Sequence, residues 1–206
     1  MATQTLPVLA LPHPLILLPS GRITLPVQRS IGETLLTFVQ EAETAPVIAA
    51  VPVTSPNGVL NEWGTVARVV RLIRPQPRNP RQPFLLTLTG VSRVRLLDTT
   101  ASETALADVG NGVAERKVEF PSPDGVPTLE AVSKFKAAAL KLLDQLARDS
   151  TLQAKRDSYL KVAAMVEETS QAKAPWMADV MVANVNGVYE DKLGEYSTRL
   201  SACGLD

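Results

Sequence analysis

Hydrophobic and polar residues alternate over short runs in the first half of the chain, which is the pattern of β-strands with one buried face. These runs predict strands at 5–11, 22–27, 47–53, 65–73, 84–89 and 92–97. One helix is predicted in the same half at IGETLLTFVQEAE, with Ser30 as its N-cap and Glu33 at the N3 position of a capping box. Many short strands separated by proline and glycine predict a closed or rolled sheet rather than a parallel one.

Downstream of residue 127 the spacing changes, because apolar residues recur every three or four positions, as they do on one face of a helix. This pattern predicts three or four helices. The first follows Thr128 as its N-cap and has Leu129 on its inward face. The others are predicted at 152–169, from Pro175 to the Asn186-Gly187 pair, and at 189–200.

Proline and lysine divide the chain at the same place as the change in periodicity. Fifteen of the sixteen prolines lie at or before Pro127, and all eight lysines lie after Arg116. The segment PSPDGVP at 121–127 is typical of a turn or linker. The sequence therefore predicts an α+β fold, with a β-rich barrel lobe at 1–120, a linker at 121–127 and a helical lobe at 128–206.

The balance of charge and the shortage of histidine and cysteine exclude several classes of function. Lys and Arg number 21 and Asp and Glu number 21, so net charge provides no overall attraction to nucleic acid. Cys203 and His13 are the only residues of their kinds, which excludes cysteine-based zinc sites and His-rich metal sites. The sequence has no phosphate-loop, GxGxxG, GxSxG or HExxH motif, and we expect no cofactor or metal in this chain.

Membrane and targeting segments are also not expected. The most apolar stretch, 45–53, is far shorter than the about 20 residues that a bilayer helix needs, and it contains prolines. The opening residues, MATQTLPVLALP, have neither a positively charged start nor an Arg-rich amphipathic pattern. We therefore expect no membrane partner and no N-terminal address.

Arginine is concentrated in one part of the β-rich half. Seven arginines stand against the single acid Glu62 between residues 60 and 97: Arg68, Arg71, Arg74, Arg78, Arg81, Arg93 and Arg95. Surface arginines commonly stay solvated or pair within the molecule, and we interpret these in that way. A nucleic-acid interface would interleave them with several aromatic residues, and only Trp63 and Phe84 are near.

The second uneven feature is the apolar, proline-rich segment LALPHPLILLPSGRITLPV at 9–27. Prolines interrupt it so closely that not every leucine can face a core. Part of the segment is therefore expected to form an exposed apolar patch, which is typical of a protein-binding surface. The alternative is that its leucines all pack in the core of the barrel lobe.

Four segments, in order, resemble the N-terminal domain of Lon proteases, and they reach over nearly the whole chain. They are LPVLALPHPLILLPSGRITLPV, NEWGTVARVVRLIR, LTLTGVSRVRLL and APWMADVMVANVNGVYEDKLGEYSTRL. In the second and third segments the residues in register with the family pattern are Gly64, Thr65, Ala67, Arg68, Gly90, Arg93 and Arg95. One departure is the turn Leu18-Pro19-Ser20, after which Gly21 comes one place later than the usual glycine.

The resemblance implies a PUA-like β-rich lobe followed by a helical bundle, in a domain that performs no chemistry itself. The implied role is to engage unfolded or degron-bearing proteins and to help Lon subunits assemble into a hexamer. The implied parent is an ATP-dependent serine endopeptidase with an AAA+ module, which uses ATP and magnesium, and a Ser-Lys dyad. Neither the ATPase motif nor the protease motif occurs in this sequence.

Two features bear on the form of Lon that the chain resembles. The sequence starts almost at the first predicted strand, and its insert RPQPRNPRQP at 74–83 is unlike the short hairpin of bacterial forms. In both respects it is more similar to the eukaryotic peroxisomal form. The peroxisomal matrix is therefore the expected location, ahead of the mitochondrial matrix and the bacterial cytoplasm.

The implied role requires weak, broad binding of the apolar segments that client proteins expose when they unfold, and a shallow apolar patch suits this requirement. We expect this patch to be formed by Leu11, Pro12, Leu17, Leu18, Pro19 and Ile73, with Arg74 on the rim. Weak binding at each copy would suffice, because a hexamer adds avidity. Two other functions stay open, namely a stand-alone PUA-like module that binds a ligand or RNA, and a hydrolase that uses a serine outside any recognised motif.

Overall fold

A computed structural model describes residues 2–42, 46–54, 59–76, 78, 82–97, 113–121, 126–184 and 189. The chain divides into two compact units. The barrel unit is Met1–Ser122 with Asn186–Asp206, and the helical unit is Pro123–Val185. Tyr189 thus groups with the barrel, although the sequence assigns it to the helical lobe. The predicted residue limits of the lobes and linker stay predictions.

The barrel unit is built on a six-stranded sheet that closes on itself. Its elements are β1 (Ala2–Leu11), β2 (Arg22–Val27), α1 (Arg29–Glu41), β3 (Val47–Pro52), β4 (Trp63–Ile73), β5 (Phe84–Leu96) and β6 (Ala114–Phe120). The strand order is β2-β5-β4-β3-β1-β6, and β6 also pairs with β5, so five strands form a ring and β2 extends it along β5. Only β1 and β3 pair in parallel. The predicted α+β fold with a closed sheet is confirmed.

Both faces of β3, and of β1 from Leu6 onward, are buried, and alternate residues belong to two different clusters. One cluster takes residues from all five strands of the ring and fills its interior: Leu6, Val8, Ala49, Val51, Val66, Val94, Leu96 and Val118. The other cluster lies on the outer face and includes Leu9, Ile48, Leu17 of the loop after β1, and Leu35 of α1. Burial on both faces explains why β3 is apolar at every position.

A bulge in β5 carries its side chains from one cluster to the other. Gly90 and Ser92 pair with consecutive residues of β4, so Val91 has no partner there. Leu88 and Val94 are six residues apart and would share a face of a regular strand. Because of the bulge, Leu88 lies in the outer cluster and Val94 inside the ring. The two strands predicted here are one continuous strand. The predicted break was wrong because the glycine forms a bulge and not a turn.

The sequence does not predict β6. Its residues, AERKVEF, include only two large apolar side chains, and Val118 alone is fully buried. The strand is fixed by its neighbours: it runs antiparallel to β1 from Ala2↔Phe120 to Val8↔Ala114. It closes the ring by pairing with the end of β5. This element therefore depends on pairing partners distant in sequence, which a local pattern does not contain.

Helix α1 starts before its predicted cap. Gln28 is the N-cap and makes no side-chain capping bond, so the prediction of Ser30 was wrong. Arg29 is already helical and its guanidinium lies 2.7 Å from the carboxylate of Glu33. Glu33 therefore serves an ion pair in place of the expected capping box.

The helical unit contains α2 (Leu129–Asp149), α3 (Gln153–Glu168), a short 3-10 turn (Gln171–Lys173) and α4 (Ala174–Asn184). Thr128 caps α2 as predicted, since its side chain accepts a 3.2 Å hydrogen bond from the Ala131 N–H. The inward position predicted for Leu129 was wrong, because the buried stripe of α2 starts one turn later, at Val132.

The core of the helical unit is formed between α2, α3 and α4. Its fully buried members are Ala139, Leu143, Val166, Met177, Val180 and Met181. Pro175 lies in the first turn of α4, where a proline removes no helical hydrogen bond. The helix end predicted at Asn186-Gly187 and the helix predicted at 189–200 fall outside the described residues, apart from Tyr189.

Candidate polypeptide-binding surface

Most of the predicted apolar patch is core. Leu11, Leu17 and Leu18 are 0%, 1% and 3% exposed, and Pro19 is buried with them. The expectation that these four residues form an exposed surface was wrong. The loop between β1 and β2 folds back onto the sheet, and its leucines provide part of the cover over the outer face.

Backbone contacts hold this loop in place. Thr65 of β4 donates a 2.6 Å hydrogen bond from its hydroxyl to the Leu17 carbonyl oxygen. The Ser20 N–H donates to the Gly90 carbonyl at 3.0 Å, and the Gly90 N–H donates to the Gly21 carbonyl at 2.9 Å. A Cβ atom on Gly90 would overlap the Leu18 carbonyl, so this close approach requires glycine.

Three predicted residues remain at the surface. Pro12 is exposed at the start of the loop after β1, whereas Ile73, 38% exposed, and the exposed Arg74 lie at the end of β4. The structure therefore brings Leu11 and Leu17 together in the core and leaves Ile73 beside Arg74. Pro12 stands on a separate element.

The sequence interpretation missed the outer edge of β4. We call Val70, Arg71, Leu72 and Ile73 the β4 edge. On one side this segment pairs with β5, as far as Ile73↔Leu85. On the other side pairing with β3 ends at Arg68, and the Val69 N–H donates to the Pro46 carbonyl at 3.0 Å. Within the described ranges no strand adjoins the β4 edge on that side.

The side chains of the β4 edge divide between core and solvent. Val70 is the extra residue of a second bulge, because Val69 and Arg71 pair with consecutive residues of β5. It is 47% exposed, and Arg71 is exposed beside it. Leu72 packs against the outer cluster and anchors the strand. The edge thus offers backbone groups, two apolar side chains (Val70 and Ile73) and one cation to solvent.

The charge along this part of β4 is positive. Arg68, Arg71 and Arg74 are exposed, and none of the three forms an ion pair with another described residue. Glu62, the only acid between residues 60 and 97, is bound by Arg95. The nearest carboxylate in sequence is therefore already engaged, and the three arginines can attract an acidic partner.

Aromatic side chains do not line this surface. Phe84 is buried in the outer cluster. Trp63 is partly buried at the other end of β4, and the Arg95 guanidinium lies 5.7 Å from its ring centroid. Proteins that bind single-stranded nucleic acid usually stack bases on exposed aromatic rings. The arginines of β4 lack such rings beside them in the described part of the chain.

Neither a metal-ligand cluster nor a membrane-spanning helix is found among the described residues. No group of three or more His, Cys, Asp or Glu side chains in those ranges is placed to hold a metal ion. No helix in the same ranges is long and apolar enough to cross a bilayer.

Comparison with known proteins gives structural likenesses and no sequence match. No protein-family model matches the sequence, and no curated protein matches it. The N-terminal domain of the Mycobacterium avium complex Lon protease superposes with a TM-score of 0.61 at 14% identity, covering 97% of this chain and 96% of that one. A Lon N-terminal domain protein from Xanthomonas campestris, 18% identical, covers 85% of this chain and 96% of its own with a TM-score of 0.47.

The fold of this chain is that of the Mycobacterium avium complex domain. The likeness extends over almost the full length of both chains, so it includes the β-rich part and the helical part. The chain therefore has the fold of a Lon protease N-terminal domain.

Proposed function

We propose that this chain is a non-catalytic substrate-recognition and assembly domain of an ATP-dependent, Lon-type AAA+ serine protease. It binds unfolded or damaged proteins for degradation in protein quality control. The observation that carries the proposal is the fold likeness over 97% of the chain. Further support comes from the sequence segments around Gly64 and Gly90 that resemble the family, because they lie on the paired strands β4 and β5.

The proposed contact residues for substrates are Pro12, Ile73 and Arg74, the members of the expected patch that solvent reaches. The buried leucines of the same patch support the loop instead. An apolar side chain beside a cation suits weak binding of many sequences, because neither contact requires a defined partner residue. The avidity of several copies then compensates for the weak affinity of each.

Other Lon subunits are the proposed assembly partners, in a hexamer. ATP, magnesium and the Ser-Lys dyad belong to the proposed parent protease. The described residues do not fit a magnesium–nucleotide site, since the sequence has no phosphate loop and no acidic cluster in the described ranges is placed for a metal. We derive no step of substrate recognition through ATP or magnesium.

The proposed location is the peroxisomal matrix, on the basis of the RPQPRNPRQP insert. Imaging of the natural full-length protein with a fluorescent tag, beside a peroxisomal marker and a mitochondrial marker, tests this. Co-localisation with the mitochondrial marker alone would contradict it.

The test of recognition is a binding experiment on a surface that carries the chain at high density, which supplies avidity. The analyte is one protein in two states: natively folded, and reduced and blocked with a neutral amide so that it stays unfolded. Saturable binding of the unfolded state alone is expected. Equal binding of both states, or of neither at high density, would contradict the recognition role.

Substitutions sharpen the same experiment. Ile73→Ser is expected to weaken binding of the unfolded protein about fivefold, because one exposed apolar contact is lost. Val91→Ser is the matched control. Like Ile73, Val91 is a β-branched strand residue exposed to solvent, and it lies on the β5 bulge. Single-stranded RNA is the third analyte. RNA binding that falls steeply with salt would favour the alternative of a stand-alone PUA-like RNA-binding module.

A further inference from the structure

We propose that the β4 edge binds an extended, acidic peptide segment as an added antiparallel or parallel strand. The inference rests on the proposed function, because it specifies how an unfolded polypeptide is held. The structural basis is a strand that is paired with β5 on one side and has no neighbouring strand on the other in the described ranges. An unpaired strand edge is a ready template for another chain.

The length of the β4 edge suits a short segment of client. Four residues of strand extend over about 13 Å, and half of their backbone groups point away from β5, which leaves about two N–H and two C=O groups for a partner. Main-chain hydrogen bonds of this kind do not depend on the sequence of the added strand. This property matches a site that must accept many unfolded proteins.

The contrast with a strand at the end of the sheet is informative. β2 is at one end of the strand order, so its side away from β5 has no partner strand among the described residues, and it contains Pro26, which has no N–H to donate. Proline is one of the devices by which sheet edges are protected from pairing. The β4 edge contains no proline. It is therefore better able than β2 to accept a strand.

The positive charge of the β4 edge indicates which kind of partner it binds. Arg71 lies within the β4 edge, and Arg68 and Arg74 flank it at three-residue spacing. Pairing with the same edge of a second copy would place arginines opposite arginines, which is unfavourable across a strand pair. A Glu or Asp of a peptide placed opposite Arg71 would instead face a cation. The occupant is thus a heterologous acidic segment and not a second copy of this chain.

Apolar side chains of the peptide also have partners here. Val70 is 47% exposed and Ile73 is 38% exposed, one at each end of the β4 edge. Arg71 and Ile73 are two residues apart and share one face of the strand, so an acidic residue and, two positions away, a Val or Ile on the same face of the peptide would meet them. The lack of exposed aromatic rings on this hairpin in the described ranges favours a peptide over a nucleic acid.

The probe for the test is a fluorescein-labelled ten-residue peptide in which Glu and Ile occupy every second position in turn, with Thr between them, titrated into the full chain. A second peptide has the same sequence with every other amide N-methylated, so that one edge cannot donate hydrogen bonds. A third has Lys in place of Glu. We expect saturable binding of the first, at least tenfold weaker binding of the second, and no binding of the third.

Protein variants and amide exchange locate the site. Arg71→Glu is expected to weaken the acidic peptide about tenfold. Arg22→Glu is the matched control, because Arg22 is an exposed strand arginine on β2, and it is expected to change binding less than twofold. Hydrogen exchange of the amides at 70–73 is expected to slow when peptide is added. Equal binding of the N-methylated peptide, or protection only elsewhere, would overturn the proposal.

The outcome for this site is separable from the outcome for the proposed function. If the unfolded protein binds but the acidic peptide neither competes nor protects residues 70–73, the edge site is wrong and the recognition role stands. If the peptide binds the edge but unfolded proteins do not bind at high density, the site stands and the recognition role is wrong. Displacement of the peptide by single-stranded RNA of higher affinity overturns the peptide assignment.

Discussion

The hydroxyl of Thr65 donates a 2.6 Å hydrogen bond to the carbonyl oxygen of Leu17, a residue 48 positions earlier in the chain. Thr65 is fully buried, so its hydroxyl has no access to solvent. Thr65→Val keeps the shape of the side chain and leaves a buried carbonyl with one partner fewer. We expect a loss of about 1–2 kcal/mol in the free energy of unfolding, measured by urea denaturation.

The measurement must report on the barrel unit alone. Trp176 belongs to the helical unit and is about half exposed, so a Trp176→Phe background leaves Trp63 of β4 as the fluorescent probe. Thr37→Val is the control, since the Thr37 hydroxyl is exposed on α1. An equal, small effect of both substitutions would mean that the bond to Leu17 adds nothing to stability.

The same contact explains why the apolar loop was misjudged from the sequence. Prolines occur so often in this segment that the sequence does not predict joint burial of Leu11, Leu17 and Leu18. They are buried because a threonine and a glycine from distant strands bind the loop backbone. Alternation within a segment predicts which residues share a face, and it predicted β2 at its observed limits. It contains no information on which distant segment covers that face.

Replacing Leu17 tests the reassignment of the loop from surface to core. Leu17→Ala removes a fully buried side chain and is expected to cost about 3 kcal/mol. Pro12→Ala, on the exposed start of the same loop, is expected to change stability by less than about 0.5 kcal/mol. Urea denaturation in the Trp176→Phe background measures both. Similarly small losses of unfolding free energy for the two variants would mean that Leu17 is at the surface and not in the core.

Gly32 is the fourth residue of α1 and lies against the ring of Phe84. A Cβ atom there would stand 2.8 Å from Cδ1 of that ring and closer still to its Cγ. Alanine ordinarily stabilises an exposed helix by about 1 kcal/mol relative to glycine. Here we expect Gly32→Ala to destabilise the barrel unit by about 1–3 kcal/mol, because the ring is packed in the outer cluster.

A double substitution identifies the cause of that loss. Gly32→Ala combined with Phe84→Leu relieves the overlap, so the two changes together should cost less than the sum of the single changes. The coupling is read from a double-mutant cycle of unfolding free energies. Additive costs would show that the helix tolerates the methyl group and that the aromatic ring is not the obstacle.

The N-caps give a paired prediction. The sequence predicts two of them, Ser30 and Thr128, and of the two the structure contains only Thr128. Thr128→Ala removes the bond to the Ala131 N–H and is expected to cost the helical unit about 1 kcal/mol. Ser30→Ala is expected to cost nearly nothing, since Ser30 lies within α1 and caps nothing. Thermal unfolding followed by Trp176 fluorescence, in a Trp63→Phe background, reports on the first, and Trp63 fluorescence reports on the second.

The β4 edge shows the limit of sequence interpretation at the candidate site. The excess of arginine over acid between residues 60 and 97 is visible in the sequence. The arginines alone indicated a solvated face, because charge does not reveal backbone pairing. Among the described residues β3 pairs with β4 only as far as Arg68, whereas β5 continues to Ile73. Strand lengths are set by partners, so the open segment follows from the topology of the ring.

Tyr189 brings a late residue of the chain onto the barrel unit, where its hydroxyl donates to the Val53 carbonyl. Its ring meets that of His13 edge to face, with centroids 4.6 Å apart. Tyr189→Phe keeps the ring contact and removes the hydrogen bond, so we expect a loss of about 1 kcal/mol in the unfolding free energy. Tyr189→Ala removes both contacts and should cost about 1 kcal/mol more. Urea unfolding followed by Trp63 fluorescence, in the Trp176→Phe background, measures both variants. An unchanged unfolding free energy in Tyr189→Phe would show that the bond to Val53 does not hold this residue in place.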